Sequence, residues 1–240
     1  MIYVAYMLTL GDGSDPNHME SPVKYNPATE PSPLPYSPFK SCTVPRPIGW
    51  LSSVSASGVE NIAPYSQWQN LTFDPPMVMF SANQYPDGRR KDTVINAETT
   101  GWFVWNMATY ALREAVNVSA MALGPEESEF EHLGLTRTYA DNFPIPMVQE
   151  SPVKFECKYH STHRIPGASA VGTVDVVFAT VETVHIDDEV ITVDGRLDIK
   201  KIEPIARLGY FDYTVVRETF EMRVPGADQD AQMGLEGRAF

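Results

Sequence analysis

The segment from Pro45 to Trp50 holds an arginine, Arg46, between two prolines. Proline fixes φ and lacks an N–H group, so this backbone is stiff and does not suit the centre of a sheet. A planar guanidinium presented by such a backbone can bind a phosphate or the edge of a ring. The alternative is a rigid entry to a strand with a solvated arginine, which the composition of the segment alone favours.

The segment from Asn61 to Ser66 could form one wall of a ligand site. Ala63 is small enough to let a flat ring approach closely, and Pro64 leaves a carbonyl oxygen without a matching N–H group. Tyr65 and Ser66 supply hydroxyl groups that can donate or accept hydrogen bonds. The alternative, an edge strand interrupted by proline, explains the segment better when it is considered alone.

The segment from Arg89 to Thr93 contains the only three adjacent basic residues of the chain. We expect a helix to begin here, and a helix N-terminus presents free N–H groups and positive partial charge to a phosphate. Lys91 and the Thr93 hydroxyl would strengthen such a site. Asp92 would repel the phosphate unless it turned away or paired with an arginine. A solvated basic turn is the alternative.

Other patterns give weaker or negative signals. Arg207 lies near Gly209 in a late loop, which is weakly specific by itself. His160 and His163 would lie on opposite faces of a strand, and with no third ligand at a fixed spacing we expect no metal site. The sequence has no nucleophile elbow, P-loop or G-x-G-x-x-G motif, which disfavours a nicotinamide enzyme of the Rossmann type.

The elements that position these segments are mainly strands. We predict strands at 48–56, 61–68, 77–81, 102–107, 153–163, 171–185, 190–193 and 213–216, and helices at 91–99 and 110–120. In the first helix Asp92 is the expected N-cap, and Gly101 is expected just beyond the C-terminus. Many strands, few short helices and no long alternation of the two indicate a mainly β protein, a barrel with peripheral α-helices.

The composition places bounds on partners and location. The chain has 18 basic and 31 acidic residues, a net charge of −13, so it repels nucleic acid and anionic membranes at long range. No apolar run reaches the roughly 20 residues of a membrane helix. We therefore expect a cytoplasmic protein that binds neither nucleic acid nor membrane. An anionic cofactor would need a local basic pocket, which gives basic residues within the motifs more weight.

Together these segments resemble the flavin reductase-like family of FMN-binding split barrels. The matching sequences are PRPIGW, NIAPYS, DPP and KDT, followed by GWFVWNMAT and PIARLGYFDY, across about residues 38–220. The spaced set is far more specific than any one motif. It is similar to the PRPIGW subgroup, which is described as flavoredoxin-like or as the reductase component of two-component monooxygenases. Residues 1–40 would then be an extended N-terminal arm, 41–220 the flavin reductase-like domain, and 221–240 a C-terminal tail.

The resemblance implies a Greek-key split barrel that forms a homodimer, with each FMN in a groove near the dimer interface. It implies that residues 46–50 and 61–66 line the isoalloxazine ring and the ribityl chain, and that residues 91–93 help to hold the phosphate. It also implies that the loop with Arg207 lies near the flavin. The subgroup often has Gly-Gly where this chain has Gly209 and Tyr210, which puts the shape of a substrate site in doubt. The cofactor-binding residues implied are Arg46, Pro47, Ile48, Gly49, Trp50, Asn61, Ala63, Pro64, Tyr65, Ser66, Lys91, Asp92, Thr93 and Arg207.

The resemblance also implies a flavoprotein oxidoreductase whose reactive centre is flavin N5, with no catalytic side chain. Hydride would come from NAD(P)H as co-substrate and pass to flavin, to a partner monooxygenase or to another electron acceptor. The alternative is an FMN-carrying electron-transfer or flavin-delivery protein without NAD(P)H activity of its own, because the sequence has no dedicated nicotinamide motif. A third hypothesis is a flavin-free β-barrel that serves as a binding or assembly module.

Overall fold

The computed structural model describes residues 22–124, 126–223 and 225–226. Within them the strands are β1 Arg46–Pro47, β2 Gly49–Val54, β3 Glu60–Tyr65, β4 Trp68–Phe73, β5 Pro76–Asn83, β6 Trp102–Met107, β7 Arg137–Tyr139, β8 Pro146–Val148, β9 Val153–Ile165, β10 Val174–Ile186, β11 Ile205–Gly209 and β12 Asp212–Val215. The α-helices are α1 Asp92–Thr100, α2 Arg113–Val118 and α3 Ile199–Ile202. Short 3₁₀ turns lie at Phe39–Ser41, Glu129–His132 and Asp188–Val190. The mainly β prediction is confirmed.

Residue contacts divide the chain into two units, 1–39 and 40–240. In the described part of the first unit, the Glu30 N–H group donates to the Asn26 carbonyl oxygen at 2.8 Å and forms a turn. Most of the predicted arm and most of the predicted C-terminal tail lie outside the described residues, so the domain boundaries stay predictions. In the described part of the chain, every helix is too short or too polar to cross a lipid bilayer.

Seven strands of the second unit form one antiparallel sheet in the order β3-β2-β6-β9-β10-β5-β4. The strands at the two ends of this order, β3 and β4, are consecutive along the chain, with only Ser66 and Gln67 between them. Two residues cannot span a flat seven-stranded sheet, because strands lie about 4.8 Å apart. The sheet therefore curls until its edges approach each other, as a barrel open along one seam. A separate three-stranded sheet has the order β1-β11-β12.

The inside of the curled sheet is an apolar core rich in aromatic side chains. Trp68 and Trp105 stack with ring centroids 5.5 Å apart, and Phe80 meets Phe103 edge to face at 5.4 Å. Strand β5 alternates between buried and less buried residues, as a strand with one face on a core must. A second apolar cluster forms around Trp50 and Ile62, on the other side of the β2–β3 hairpin.

Helix α1 is the element closest to the predicted phosphate site, and its start differs from the prediction. Lys91 is the N-cap, with extended backbone angles, whereas Asp92 is the first helical residue. The Asp92 carboxylate therefore does not cap the helix. The predicted C-terminal glycine is confirmed, because Gly101 has φ 81° and donates its N–H group to the Ala97 carbonyl oxygen.

One predicted strand is wrong, and one predicted helix is shorter than expected. The β-branched sequence 190–193 forms the end of a 3₁₀ turn and a single bridge between Ile191 and Leu197, because the Asp194-Gly195 turn reverses the chain too soon for a ladder. The helix predicted at 110–120 is limited to α2. The predicted β2–β3 hairpin and the strands β5, β6, β9, β10 and β12 are confirmed, with shifted ends in most cases.

Candidate functional site

A cavity of about 110 Å³ lies between the edge of β3, the start of α1 and the segment that follows α2. It joins two of the segments that the sequence singles out. The residues that line it are Asn61, Ala63, Pro64, Tyr65, Tyr85, Lys91, Asp92, Ser119, Ala120, Met121 and Glu129. The cavity could hold a group of the size of a phosphate, whereas pockets for whole cofactors usually measure about 300 Å³ or more.

Strand β3 suits this site because it lies at one end of the sheet order. Pro64, which has no N–H group to give to a ladder, is tolerated on such an edge. On the same strand, Ile62 donates its N–H group to Oε2 of Glu129 at 3.1 Å. The edge-strand interpretation of this segment and the ligand-wall interpretation are therefore compatible.

The three adjacent basic side chains form different polar contacts, although Arg89 and Lys91 both lie over the ring of Tyr85. Arg89 pairs with Asp87 at 2.7 Å on the surface. Arg90 makes two hydrogen bonds to Glu98, at 2.6 and 2.8 Å, and one to the buried Asp175 at 2.9 Å. These ion pairs tie α1 to β10 and close the turn before the helix, so two of the three cations serve the fold.

Lys91 is the basic residue that lines the cavity. Its ammonium nitrogen lies 3.4 Å from the centroid of the Tyr85 ring, a cation–π contact. Partial burial lowers the pKa of Lys91 from its usual value, and Arg89 lowers it further, whereas Asp92 acts in the opposite direction. Tyr85 is held by the turn, because its N–H group donates to the Arg89 carbonyl oxygen at 2.9 Å.

Thr93 lies behind the cavity wall and not on its surface. Its side chain is buried, and its hydroxyl accepts a hydrogen bond from Nδ2 of Asn61 at 3.1 Å. It also bonds the Tyr65 hydroxyl, although burial of Tyr65 dominates and raises the pKa of that phenol. Thr93 thus positions two residues of β3 that line the cavity, and its predicted role in cofactor binding stays a prediction.

Two carboxylates, Asp92 and Glu129, share the cavity with Lys91. Glu129 is buried, and this burial raises the pKa of its carboxyl group. Sequence reasoning missed Glu129 and Tyr85. Glu129 stands in the acidic sequence 126–131, where nothing local distinguishes it from its solvated neighbours. Tyr85 does have a signal, since it directly precedes the Pro86–Gly88 turn beside the basic segment.

The first predicted segment contributes to this cavity indirectly. Trp50 is fully buried, and its indole Nε1 donates to Oγ of Ser119 at 2.9 Å. Ser119 in turn lines the cavity and donates to the Val116 carbonyl oxygen. Gly49 is required by packing, because a Cβ atom at this position would lie 3.0 Å from Cβ of Trp68.

Arg46 and Arg207 are brought together elsewhere, as cross-strand partners on β1 and β11. Arg46 donates to two carbonyl oxygens of the preceding segment, those of Lys40 and Thr43. Arg207 donates to the Tyr213 hydroxyl at 2.6 Å and to a carbonyl oxygen of its own hairpin. Neither guanidinium lines the small cavity.

Pro47 and Ile48 line a larger apolar groove of about 490 Å³. Its other walls come from strands β4, β5, β6, β9 and β10 and from Pro204 and Ile205. Ser66 lies, partly buried, in the bend between β3 and β4. The predicted site residues are thus divided between the small polar cavity, the apolar groove, the β1–β11 pair and the core.

A separate group of metal-ligand side chains consists of Asp141, Glu156 and His185. Glu156 is buried, and its oxygens accept from the N–H groups of Asp141 and Asn142 at 3.0 and 2.9 Å. Nε2 of His185 lies 2.7 Å from Oε1 of Glu156. These bonds fasten the 141–142 loop to strands β9 and β10, which accounts for the cluster without a metal ion.

Comparisons with known proteins agree with this architecture. The sequence model described as the flavin reductase like domain matches residues 41–202. An uncharacterised protein of Halalkalibacterium halodurans is 34% identical over 189 residues, which make up 79% of this chain and 90% of that protein.

Among solved structures, nitrilotriacetate monooxygenase component B from Bacillus cereus has a TM-score of 0.77 at 29% identity, covering 84% of this chain and 99% of that chain. A protein with a split barrel domain from Shewanella frigidimarina has a TM-score of 0.67 at 24% identity, covering 79% and 90%. The split-barrel prediction is confirmed.

Proposed function

Since the chain belongs to the flavin reductase-like domain family, we propose that it binds FMN and transfers electrons through it, with NAD(P)H as hydride donor. The observation that carries the proposal is the meeting of the β3 edge and Lys91 in one cavity. When bound, FMN supplies the redox chemistry by accepting hydride at N5 and passing electrons on. The chain supplies the binding groups, and no side-chain nucleophile is needed.

The residues of the cavity fit the phosphate end of FMN. Lys91 offers an ammonium group at the start of α1, where helix N–H groups and the helix dipole favour an anion. Ala63 and Pro64 leave room beside the β3 edge for the ribityl chain. The cavity is too small for the tricyclic ring, so the ring would extend beyond it along the protein surface.

We expect the remainder of the flavin site to be completed in a homodimer. Strand β4 is the other edge of the sheet, and its residues from Gln69 to Phe73 are exposed. Leu71 and Phe73 present apolar side chains there, next to the apolar groove. Exposed edges and apolar patches of this kind are usually covered by a partner, and a second copy would cover both.

The electron acceptor that we favour is a partner monooxygenase, supplied directly or through free flavin. The support is the similarity to nitrilotriacetate monooxygenase component B, at 29% identity across nearly the whole of that chain. A second candidate is an FMN-carrying electron-transfer protein without its own NAD(P)H activity. It is favoured by the cavity lining, in which Lys91 is the one basic residue and would already be used by the FMN phosphate.

The test is an absorbance spectrum of the purified protein, followed by anaerobic mixing with NADH and with NADPH. A bound flavin band that bleaches rapidly with either nucleotide supports the reductase. A flavin band that bleaches with dithionite but with neither nucleotide supports the electron-transfer protein. A colourless protein that binds no added FMN contradicts both.

A further inference from the structure

The small cavity contains an electrostatic conflict if it holds the phosphate of FMN. One ammonium group, that of Lys91, faces two carboxylates, Asp92 and Glu129. A phosphate adds negative charge to a space that already has more acidic than basic groups. Like charges at close range in a partly desolvated site oppose one another strongly, so one of the anions must be screened or neutralised.

Glu129 is the carboxylate that solvent screens least. It is 7% exposed, whereas Asp92 is partly open to solvent at the start of α1. Its Oε2 atom accepts the Ile62 N–H group at 3.1 Å, and a neutral acid keeps this bond through its carbonyl oxygen. The second carboxyl oxygen can then carry a proton and donate a hydrogen bond. The geometry thus suits the neutral acid without any movement of β3.

The groups around Glu129 act on its charge in both directions. Of the titratable groups on the elements packed against it, Tyr65 of β3 and Tyr85 of the turn before α1 are neutral phenols, whereas Asp92 of α1 opposes the negative charge of Glu129. The backbone N–H bonds, including that of Ile62, favour the carboxylate, and so does His132 on the turn that carries Glu129. Burial is the largest effect and, together with Asp92, raises the pKa of Glu129 before any ligand is present.

We propose that Glu129 takes up one proton from solvent when the phosphate of FMN enters the cavity, and binds it as a neutral hydrogen-bond donor. This inference rests on the proposed function, because it concerns the same cavity. The step is balanced: the carboxylate and a solvent proton give the carboxylic acid, and no bond of the ligand is made or broken. Glu129 would thereby make FMN affinity dependent on pH.

The test compares the wild-type protein with Glu129→Gln, which imitates the neutral acid. The glutamine carbonyl can still accept the Ile62 N–H group, and its amide can donate to a phosphate. FMN dissociation constants are measured by flavin fluorescence from pH 5.5 to 9. Proton uptake is measured by titration calorimetry in two buffers of different ionisation enthalpy. Titration of the FMN phosphate itself is common to both proteins and cancels in the comparison.

We expect the wild-type affinity to fall, relative to the variant, by up to about tenfold per pH unit where free Glu129 is ionised. The wild type should take up about one more proton per FMN than the variant at such a pH. With riboflavin, which has no phosphate, the two proteins should have equal affinities. The control variant Glu131→Gln removes an exposed charge from the same turn and should behave as the wild type.

Three results would overturn the proposal while leaving FMN binding intact. They are equal pH dependence in the two proteins, weaker FMN binding by the variant at every pH, and a difference that persists with riboflavin. If neither protein binds FMN at any pH, the proposed function fails, and this inference fails with it. Thermal unfolding of the variant shows whether it has kept its fold.

Discussion

The Lys91 ammonium nitrogen lies 3.4 Å from the centroid of the Tyr85 ring, and both side chains line the same small cavity. A cation–π contact at a partly exposed site contributes about 0.5–1 kcal/mol, whereas a hydrogen bond to a charged group contributes about 1.5–3 kcal/mol. A phosphate in the cavity would therefore compete successfully for the ammonium group.

The first prediction follows from this contact. Lys91→Met should weaken FMN binding about 10- to 100-fold, because the charge-assisted hydrogen bonds to the phosphate are lost while the aliphatic chain is kept. Riboflavin binding should change little. The matched control is Arg89→Met, which removes a neighbouring cation that pairs with Asp87 on the surface. Flavin fluorescence titration measures the affinity of each variant for FMN and for riboflavin. Equal losses of FMN affinity in the two variants would contradict the assignment of Lys91 to the phosphate.

The second prediction concerns Thr93, which bonds Asn61 and Tyr65 behind the cavity. Thr93→Val should lower the free energy of unfolding by about 1–3 kcal/mol, because it leaves buried polar partners without a bond. FMN affinity should also fall, since the β3 residues lose their support. The control is Thr99→Val on the outer face of α1, where the hydroxyl bonds the main chain of its own helix. Urea denaturation gives the stabilities, and an unchanged Thr93→Val protein would show that this network is dispensable.

The elements that border the cavity, strand β3 and the start of α1, follow from short-range sequence signals. The hairpin turn at Gly58, the proline on an edge strand and the basic residues before a helix could each be predicted from local residue types. The structure adds that they meet at one cavity. Local pattern does not give the direction of each side chain, and for this reason the sequence does not show that Thr93 is buried behind the cavity wall.

The residues that sequence reasoning missed depend on contacts between distant parts of the chain. Glu129 reaches Ile62 across 67 positions, and Arg90 reaches Asp175 across 85. Neither partner is indicated by periodicity or spacing. The same holds for Arg46, whose cross-strand neighbour Arg207 is fixed only when β11 returns to β1. Contacts between residues that are distant in sequence, and not local propensity, determine which charged side chains face the cavity.

The third prediction concerns the buried carboxylate that holds the basic turn. Burial alone would raise the pKa of Asp175, but hydrogen bonds from Arg164 and Arg90 outweigh it and hold the pKa below its usual value. A depressed pKa in the folded state stabilises the protein above the unfolded-state pKa, and this stability is lost as pH falls through the folded-state value. Asp175→Asn should therefore be destabilised by about 2–4 kcal/mol at pH 7, because Arg90 loses a buried partner.

The pH dependence of this difference is the distinguishing measurement. The gap in unfolding free energy between the wild type and Asp175→Asn should begin to narrow as pH falls below about 4, where the carboxylate takes up a proton in the unfolded chain while the folded protein still keeps it ionised. The control is Asp194→Asn, which removes an exposed carboxylate paired with Arg196 and should change stability far less than Asp175→Asn does, because solvent screens the exposed pair. A gap that stays constant with pH would mean that Asp175 acts through packing and not through its charge.

The fourth prediction tests the homodimer. Leu71 is 47% and Phe73 71% exposed on edge strand β4, which borders the apolar groove. If a second copy covers this edge, Phe73→Glu should dissociate the dimer, since an unpaired carboxylate in an apolar interface is strongly unfavourable.

The mass measured by size-exclusion chromatography with light scattering should fall to that of one chain. FMN affinity should fall with it, because the ring would lose the part of its site that the partner completes. The control is Val193→Glu, which changes a still more exposed apolar residue far along the chain from β4 and should leave the mass unchanged. A wild-type protein that is already monomeric while it retains FMN would show that one chain is sufficient for the site.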